Sequence, residues 1–259
     1  MLTIYQIDAF TNRKFGGNPA AVCPLEEWLS DDELQAIANE LNLSETAYIV
    51  PSDTADFHLR WFTPAAEVRL CGHATLATAH VLFSELGFEK ETVRFSTEKA
   101  GVLEVSRSDA SYTMNFPADS YSEFQPSNLD QLIDQRILSS FTGTDDLMLV
   151  LENEEAVQSC RAEFGQMKAL DQRAVIITAP GDHKDFVSRV FAPNVGIDED
   201  PVTGSAHTLL TVYWSDRLHK AAMEASQISA RRGELKCELK NDRVLITGNA
   251  VTVLKGELL

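Results

Sequence analysis

The chain has 259 residues, 44% hydrophobic and 24% charged, enough for one large domain or two compact ones of roughly 100–150 residues with separate cores. Its formal net charge of −17 repels phosphate backbones and anionic lipid surfaces, which argues against nucleic acid and membrane as partners. No apolar run of about 18 residues and no basic-then-apolar leader is present, so a soluble, cytoplasmic protein acting on small molecules is expected.

The four cysteines, Cys23, Cys71, Cys160 and Cys237, have neither metal-ligand nor disulfide-framework spacing and are expected as buried free thiols. Thr3–Phe10 is predicted as an opening strand. Phe15–Val22 begins rich in glycine but lacks phosphate-loop spacing, so it reads as a turn, with Asn18 a candidate wall of a binding cleft. Ser30 and Glu33 form a capping box for a helix over Asp31–Asn42, whose apolar face is Leu34, Ile37, Ala38 and Leu41. Ala47–Val50 and Phe57–Phe62 read as strands, followed by a polar turn and a helix over Ala74–Glu85 that Gly87 closes. Thr92–Phe95, Gly101–Ser106 and Tyr112–Phe116 continue as β-structure. Pro, Ser and Asp cluster over Pro117–Asn128, the expected linker. Residues 1–117 and 118–259 are thus the predicted halves, with the last strand free to return to the first. The second half carries predicted strands at Leu147–Leu151, Ala174–Thr178 and Val187–Phe191, a helix over Ser205–Leu218, and four further short strands to Leu254.

The halves share a pattern. Asp56-Phe57, Arg60, Phe62 and Pro64 match Asp185-Phe186, Arg189, Phe191 and Pro193 at constant spacing: 185 − 56 and 193 − 64 are both 129. After a three-residue insertion, Gly72-His73-Ala74 aligns with Gly204-Ser205-Ala206, each followed by a helical run. The expected fold class is therefore α+β, an internal duplication in which each half is a curved, mostly antiparallel sheet around a central helix. A glycine before a helix is common at tight entry turns. Two of them in a repeated chain point further, because uncapped helix N-termini offer N–H groups and a positive dipole end to an anion. Gly72 and Gly204 allow close approach, and His73 or Ser205 can add a side-chain donor.

Four blocks in order, Phe15-Gly16-Gly17-Asn18-Pro19-Ala20-Ala21-Val22, Ser44-Glu45-Thr46-Ala47, Arg69-Leu70-Cys71-Gly72-His73-Ala74-Thr75 and Glu199-Asp200-Pro201-Val202-Thr203-Gly204-Ser205-Ala206, resemble the signatures of the phenazine-biosynthesis PhzF-like isomerases. The resemblance implies a diaminopimelate-epimerase-like fold with one active site between two pseudo-symmetric halves. It also implies Glu45 as the proton-transferring residue, His73, Asp200 and Ser205 lining the site, no cofactor, and a homodimer.

Without the resemblance Glu45 reads as a loop charge; with it, a carboxylate shielded from water can hold and deliver a proton. His73, in the first turn of its helix, is expected to have a lowered pKa and a neutral ring. His80 lacks a third partner of suitable spacing, so no metal is expected, and His58, His183, His207 and His219 read as ordinary strand, loop or helix-surface residues. Asp200, before Pro201, either fixes its turn or hydrogen-bonds a substrate. Related racemases use two thiols, one from each half. Here Thr203 precedes Gly204, and a threonine hydroxyl is far too weakly acidic to replace a thiolate, so Cys71 is expected to be structural. The leading function is a cofactor-independent isomerase moving a proton within a small carboxylate-bearing substrate. Its rivals are an amino-acid-type epimerase or racemase and a non-catalytic small-molecule-binding protein.

Overall fold

In the computed structural model, which describes all 259 residues, the chain divides into two units. Residues 1–115 and 247–259 make the first, and residues 116–246 the second.

The first unit is built outward from β1 (Leu2–Ala9), which pairs antiparallel with β2 (Asn18–Pro24) and with the C-terminal strand (Arg243–Leu258). The stretch read from sequence as a turn is thus largely strand. The turn proper ends at Gly17, whose φ of +60° and whose approach to the Ala9 carbonyl leave no room for a Cβ. β2 runs parallel to β3 (Glu45–Pro51), which requires a crossover. That crossover is α1 (Asp31–Leu41), started by the Ser30/Glu33 capping box and closed by Asn42 in the left-handed region. Leu34 and Ala38 of α1 pack with Ile4, Ala21, Cys23, Tyr48 and Phe62, and the Tyr48 hydroxyl donates to the Leu34 carbonyl at 2.7 Å.

β4 (Phe57–Phe62) pairs antiparallel with β3 and with β5 (Glu67–Val68), and parallel with β6 (Thr92–Ser96). The crossover from β5 to β6 is α2 (Gly72–His80), every residue of which after Gly72 is buried. It starts two residues before the predicted helix, and its final stretch, Val81–Glu85, is a π-helical turn. Antiparallel β7 (Val102–Ser108) and β8 (Ser111–Pro117) follow.

The second unit opens with β9 (Ser122–Glu123) and then follows the same order. β10 (Ser139–Thr142) pairs antiparallel with β11 (Asp146–Val150), which runs parallel to β12 (Ala174–Pro180). Two short helices, α3 (Glu154–Ser159) and α4 (Phe164–Met167), occupy the place of α1. Strand β13 (Phe186–Ala192) pairs antiparallel with β12 and β14 (Ile197–Asp200), and parallel with β15 (Ala222–Gln227) across α5 (Ala206–Leu218). β16 (Gly233–Lys240) and β17, the C-terminal strand, complete the chain. Leu147, Leu149, Ile177, Phe191 and Val157 form the heart of this unit's core.

Register locates the insertion. Trp61 pairs with Val68 in the first unit, and Val190 with Asp200 in the second, so the extra residues lie in the β13–β14 turn. There Pro193–Val195 makes a 3-10 turn closed by Gly196 at a φ of 85°. The matched arginines take matched places: Arg60 bonds Glu67 and lies over Phe62, while Arg189 bonds Glu199 and lies over Phe191.

Candidate active site

In the first unit, three sequence-predicted residues meet through three elements. Asn18 and Glu45 open the parallel strands β2 and β3, and His73 is the second residue of α2. All three are buried. His73 Nε2 lies 2.9 Å from Glu45 Oε2, and Asn18 Nδ2 lies 3.1 Å from His73 Nδ1. Ser44, which sequence reasoning did not single out, donates its hydroxyl to Asn18 Oδ1 at 3.1 Å. With Asn18 donating, Nδ1 accepts and the ring proton sits on Nε2, toward Glu45. A doubly protonated ring takes the Asn18 amide turned over, so that Oδ1 accepts from the Nδ1 proton and the amide nitrogen donates to the Ser44 hydroxyl.

The Glu45 contact is an ion pair without a directed hydrogen bond: Oε2 is fully buried and receives none. A carboxylate oxygen in that condition has an unused lone pair where a substrate proton can arrive.

The charge on His73 differs from the sequence expectation. Burial lowers its pKa, but Cys71 and Glu45 together outweigh burial and hold it well above the ordinary value. Burial first and then Glu45 push the Cys71 thiol, 3.5 Å from His73 Nδ1, up to about 11. A thiol so raised is neutral at pH 7, so the charge that favours the imidazolium is that of Glu45. The helix end would act the other way, but a carboxylate in contact prevails over it.

Gly72 opens α2 behind an N-cap, Cys71, that makes no side-chain capping bond. α5 likewise starts behind Ser205 without one, whereas α1 and α3 are capped by Ser30 and Asn153. The two helices singled out by the repeat thus lack a side-chain cap, as does the short α4 behind Glu163.

The second unit holds Asp200, Gly204 and Ser205 in one braced loop. Thr203 donates its hydroxyl to Asp200 Oδ2 at 2.5 Å, and its N–H donates to the side-chain oxygen of buried Gln227 at 2.8 Å. Gln227 in turn donates to the Asp200 carbonyl at 2.7 Å. Ser205 accepts from Arg173 at 3.2 Å, and Arg173 is paired with Asp146. Gln227, Arg173 and Asp146 carry no signal in the sequence, because each lies far along the chain from the motif it supports. His207, read as an ordinary surface residue, is fully buried. Its ring N–H donates to the Thr203 carbonyl at 2.8 Å, and burial lowers its pKa to about 4.

One donor set merits a metal test. Ligand atoms of Glu45, Cys71 and His73 lie within 4.8 Å of one another, close enough to converge on a soft divalent ion. Such an ion would have to displace the proton of a thiol whose pKa is about 11. Binding of an ion there would therefore be coupled to release of that proton.

Two units of this α+β topology, with a buried carboxylate–imidazole pair at the start of α2, define an epimerase-like fold. A family model described as phenazine biosynthesis-like protein, PhzC-PhzF, matches residues 7–256, and the chain belongs to that family. It is 48% identical over 258 residues to a Pseudomonas aeruginosa protein named an uncharacterized isomerase, covering 99% of this chain and 98% of the relative. The crystal structure of a PhzF family protein from Enterococcus faecalis superposes with a TM-score of 0.96 at 43% identity, over 100% of this chain and 99% of that one. A hydroxyproline epimerase from Agrobacterium vitis, with bound trans-4-hydroxy-L-proline, shares the fold at 10% identity and a TM-score of 0.63, over 98% of this chain and 91% of that one. An isomerase or epimerase role is thus supported at the level of the family.

Proposed function

We propose that the protein is a cofactor-independent isomerase that moves a proton within a small carboxylate-bearing substrate, with Glu45 as the acid/base. The observation that carries this reading is the buried Glu45 Oε2, which has no hydrogen bond and stands 2.9 Å from His73. In the proposed reaction Glu45 takes the proton from a carbon next to a carbonyl or carboxylate and returns it elsewhere on the same molecule. His73, charged beside it, steadies the developing negative charge, and Asn18 sets the ring. Gly72 supplies backbone donors, and Asp200, Gly204 and Ser205 in the second unit are assigned to substrate binding. The net charge of −17 supports a small molecule as partner over nucleic acid or membrane. The common strand order and register of the two units support an origin by duplication.

Two observations disfavour a two-thiol epimerase. The Thr203 hydroxyl is engaged by Asp200, and the Cys71 thiol is held protonated. Incubating a panel of small aromatic and amino-acid-derived carboxylates in deuterated water tests the choice. An isomerase gives deuterium at a new carbon with the double bond or carbonyl displaced. Label at one carbon with loss of chirality would instead favour the epimerase, and binding without label would favour a non-catalytic binder.

A further inference from the structure

In the second unit, polar side chains form a chain that ends on Ser205. Asp146, buried at the start of β11, accepts from Arg173 Nε at 2.9 Å and from Arg173 Nη2 at 2.6 Å. The same Nη2 reaches Ser205 Oγ at 3.2 Å. A guanidinium has donors only, so Ser205 must accept at that contact, and its own hydroxyl proton points elsewhere. Ser205 precedes α5 with an already helical backbone, φ −62° and ψ −36°, a conformation in which its side chain makes no capping bond to the first turn. The Ser205 oxygen is thus held by Arg173 and is not engaged by the helix. The N–H groups of His207 and Thr208 are already taken by the Gly204 and Ser205 carbonyls, so the Ser205 hydroxyl proton is the donor that the Arg173 contact leaves available.

We infer that Arg173, braced by Asp146, is a positioning residue that fixes Ser205 as a hydrogen-bond donor and so selects a substrate carboxylate over a cationic group of the same shape. This rests on the proposed assignment of Ser205 to substrate binding. Asp146 neutralises the guanidinium at close range, so the effect lies in the direction of the hydroxyl more than in net charge. The bidentate pair holds the fork in one plane, which a lysine ammonium cannot do.

Calorimetric titration with benzoate and benzamidine, matched in shape and opposite in charge, tests the inference on the full chain. The native protein is expected to bind benzoate and to bind benzamidine at least tenfold more weakly, on the order of one charge-assisted hydrogen bond. Arg173→Met and Ser205→Ala are each expected to weaken benzoate by about tenfold. The double variant is expected to be no weaker than Ser205→Ala alone, because Arg173 acts through Ser205. Arg173→Lys should recover only part of the loss, and thermal unfolding of each variant reports whether it is folded. If the methionine variant does not fold, Arg173→Gln serves the same comparison. Unchanged benzoate affinity in a folded Arg173 variant, additive losses in the double variant, or no benzoate binding by the native protein would overturn the inference. Glu45→Gln should leave benzoate affinity intact while removing proton exchange, which separates this outcome from failure of the acid/base reading.

Discussion

His73 Nε2 lies 2.9 Å from Glu45 Oε2 with both side chains nearly out of solvent, and yet that oxygen receives no hydrogen bond. The pair is close enough for charge to act and misdirected enough to leave an oxygen lone pair unused. A structural ion pair this deeply buried would be expected to align its donor, since an unsatisfied buried carboxylate oxygen costs roughly 1–3 kcal/mol. The misdirection is intelligible if a ligand proton completes the oxygen.

The charge state of His73 gives the first test. Nitrogen-15 NMR titration is expected to place its pKa well above 6.5 in the native protein. In Glu45→Gln the carboxylate is gone, burial acts unopposed by it, and the value should fall. Because the folded-state pKa is raised, the pair's contribution to stability is complete below the unfolded value and is lost as pH rises through the folded one. A His73 titration that does not move in Glu45→Gln would show that Glu45 is not the charge responsible.

His207 titrates in the opposite sense. Burial holds its pKa at about 4, so between that value and 6.5 the unfolded chain binds a proton that the folded chain does not. Stability should therefore fall as pH drops through this window, by up to about 3 kcal/mol from this one group. His207→Asn keeps a donor for the Thr203 carbonyl but cannot titrate. Urea unfolding of that variant between pH 7 and pH 4 should lose this part of the slope, and an unchanged slope would assign it to other groups.

Arg60 anchors the first unit. Its guanidinium bonds Glu67 at 2.7 Å and Asp31 at 2.9 Å and lies over the rings of Trp28 and Phe62. Asp31 is largely exposed, so its share is small, and the loss falls mainly on Glu67 and the aromatic stack. Arg60→Met is expected to lower unfolding stability by about 2 kcal/mol, read from the urea midpoint. A change within about 0.5 kcal/mol, the range usual for surface substitutions, would make the cluster incidental.

Much of this was legible in the sequence. The spacing of Asp56–Pro64 against Asp185–Pro193 anticipated two units of one strand order, and the Ser30/Glu33 capping box fixed the start of α1. Other features depend on tertiary context. Asn18–Pro24 reads as a turn because glycines precede it and its small residues give no alternation, yet it becomes a strand because β1 and β3 pair with it on both sides. α3 and α4 are too short to show helical periodicity. Glu45, His73, Asp200 and Ser205 were singled out as candidates through their motifs. Arg173 and Gln227 were not, because they meet the Asp200–Ser205 loop only through the sheet. The His73 charge was misread for a similar reason: its helix position is local, but its neighbour Glu45 lies on a different element.

The most direct test of Glu45 as the proton carrier is the rate of deuterium incorporation from deuterated water into a turned-over carboxylate, compared between native protein and Glu45→Gln. With both folded by circular dichroism, the native protein should exchange the proton and the variant should lose about 10²–10⁴-fold in rate, with binding retained. A Glu45→Gln variant that exchanges deuterium at the native rate would contradict the assignment.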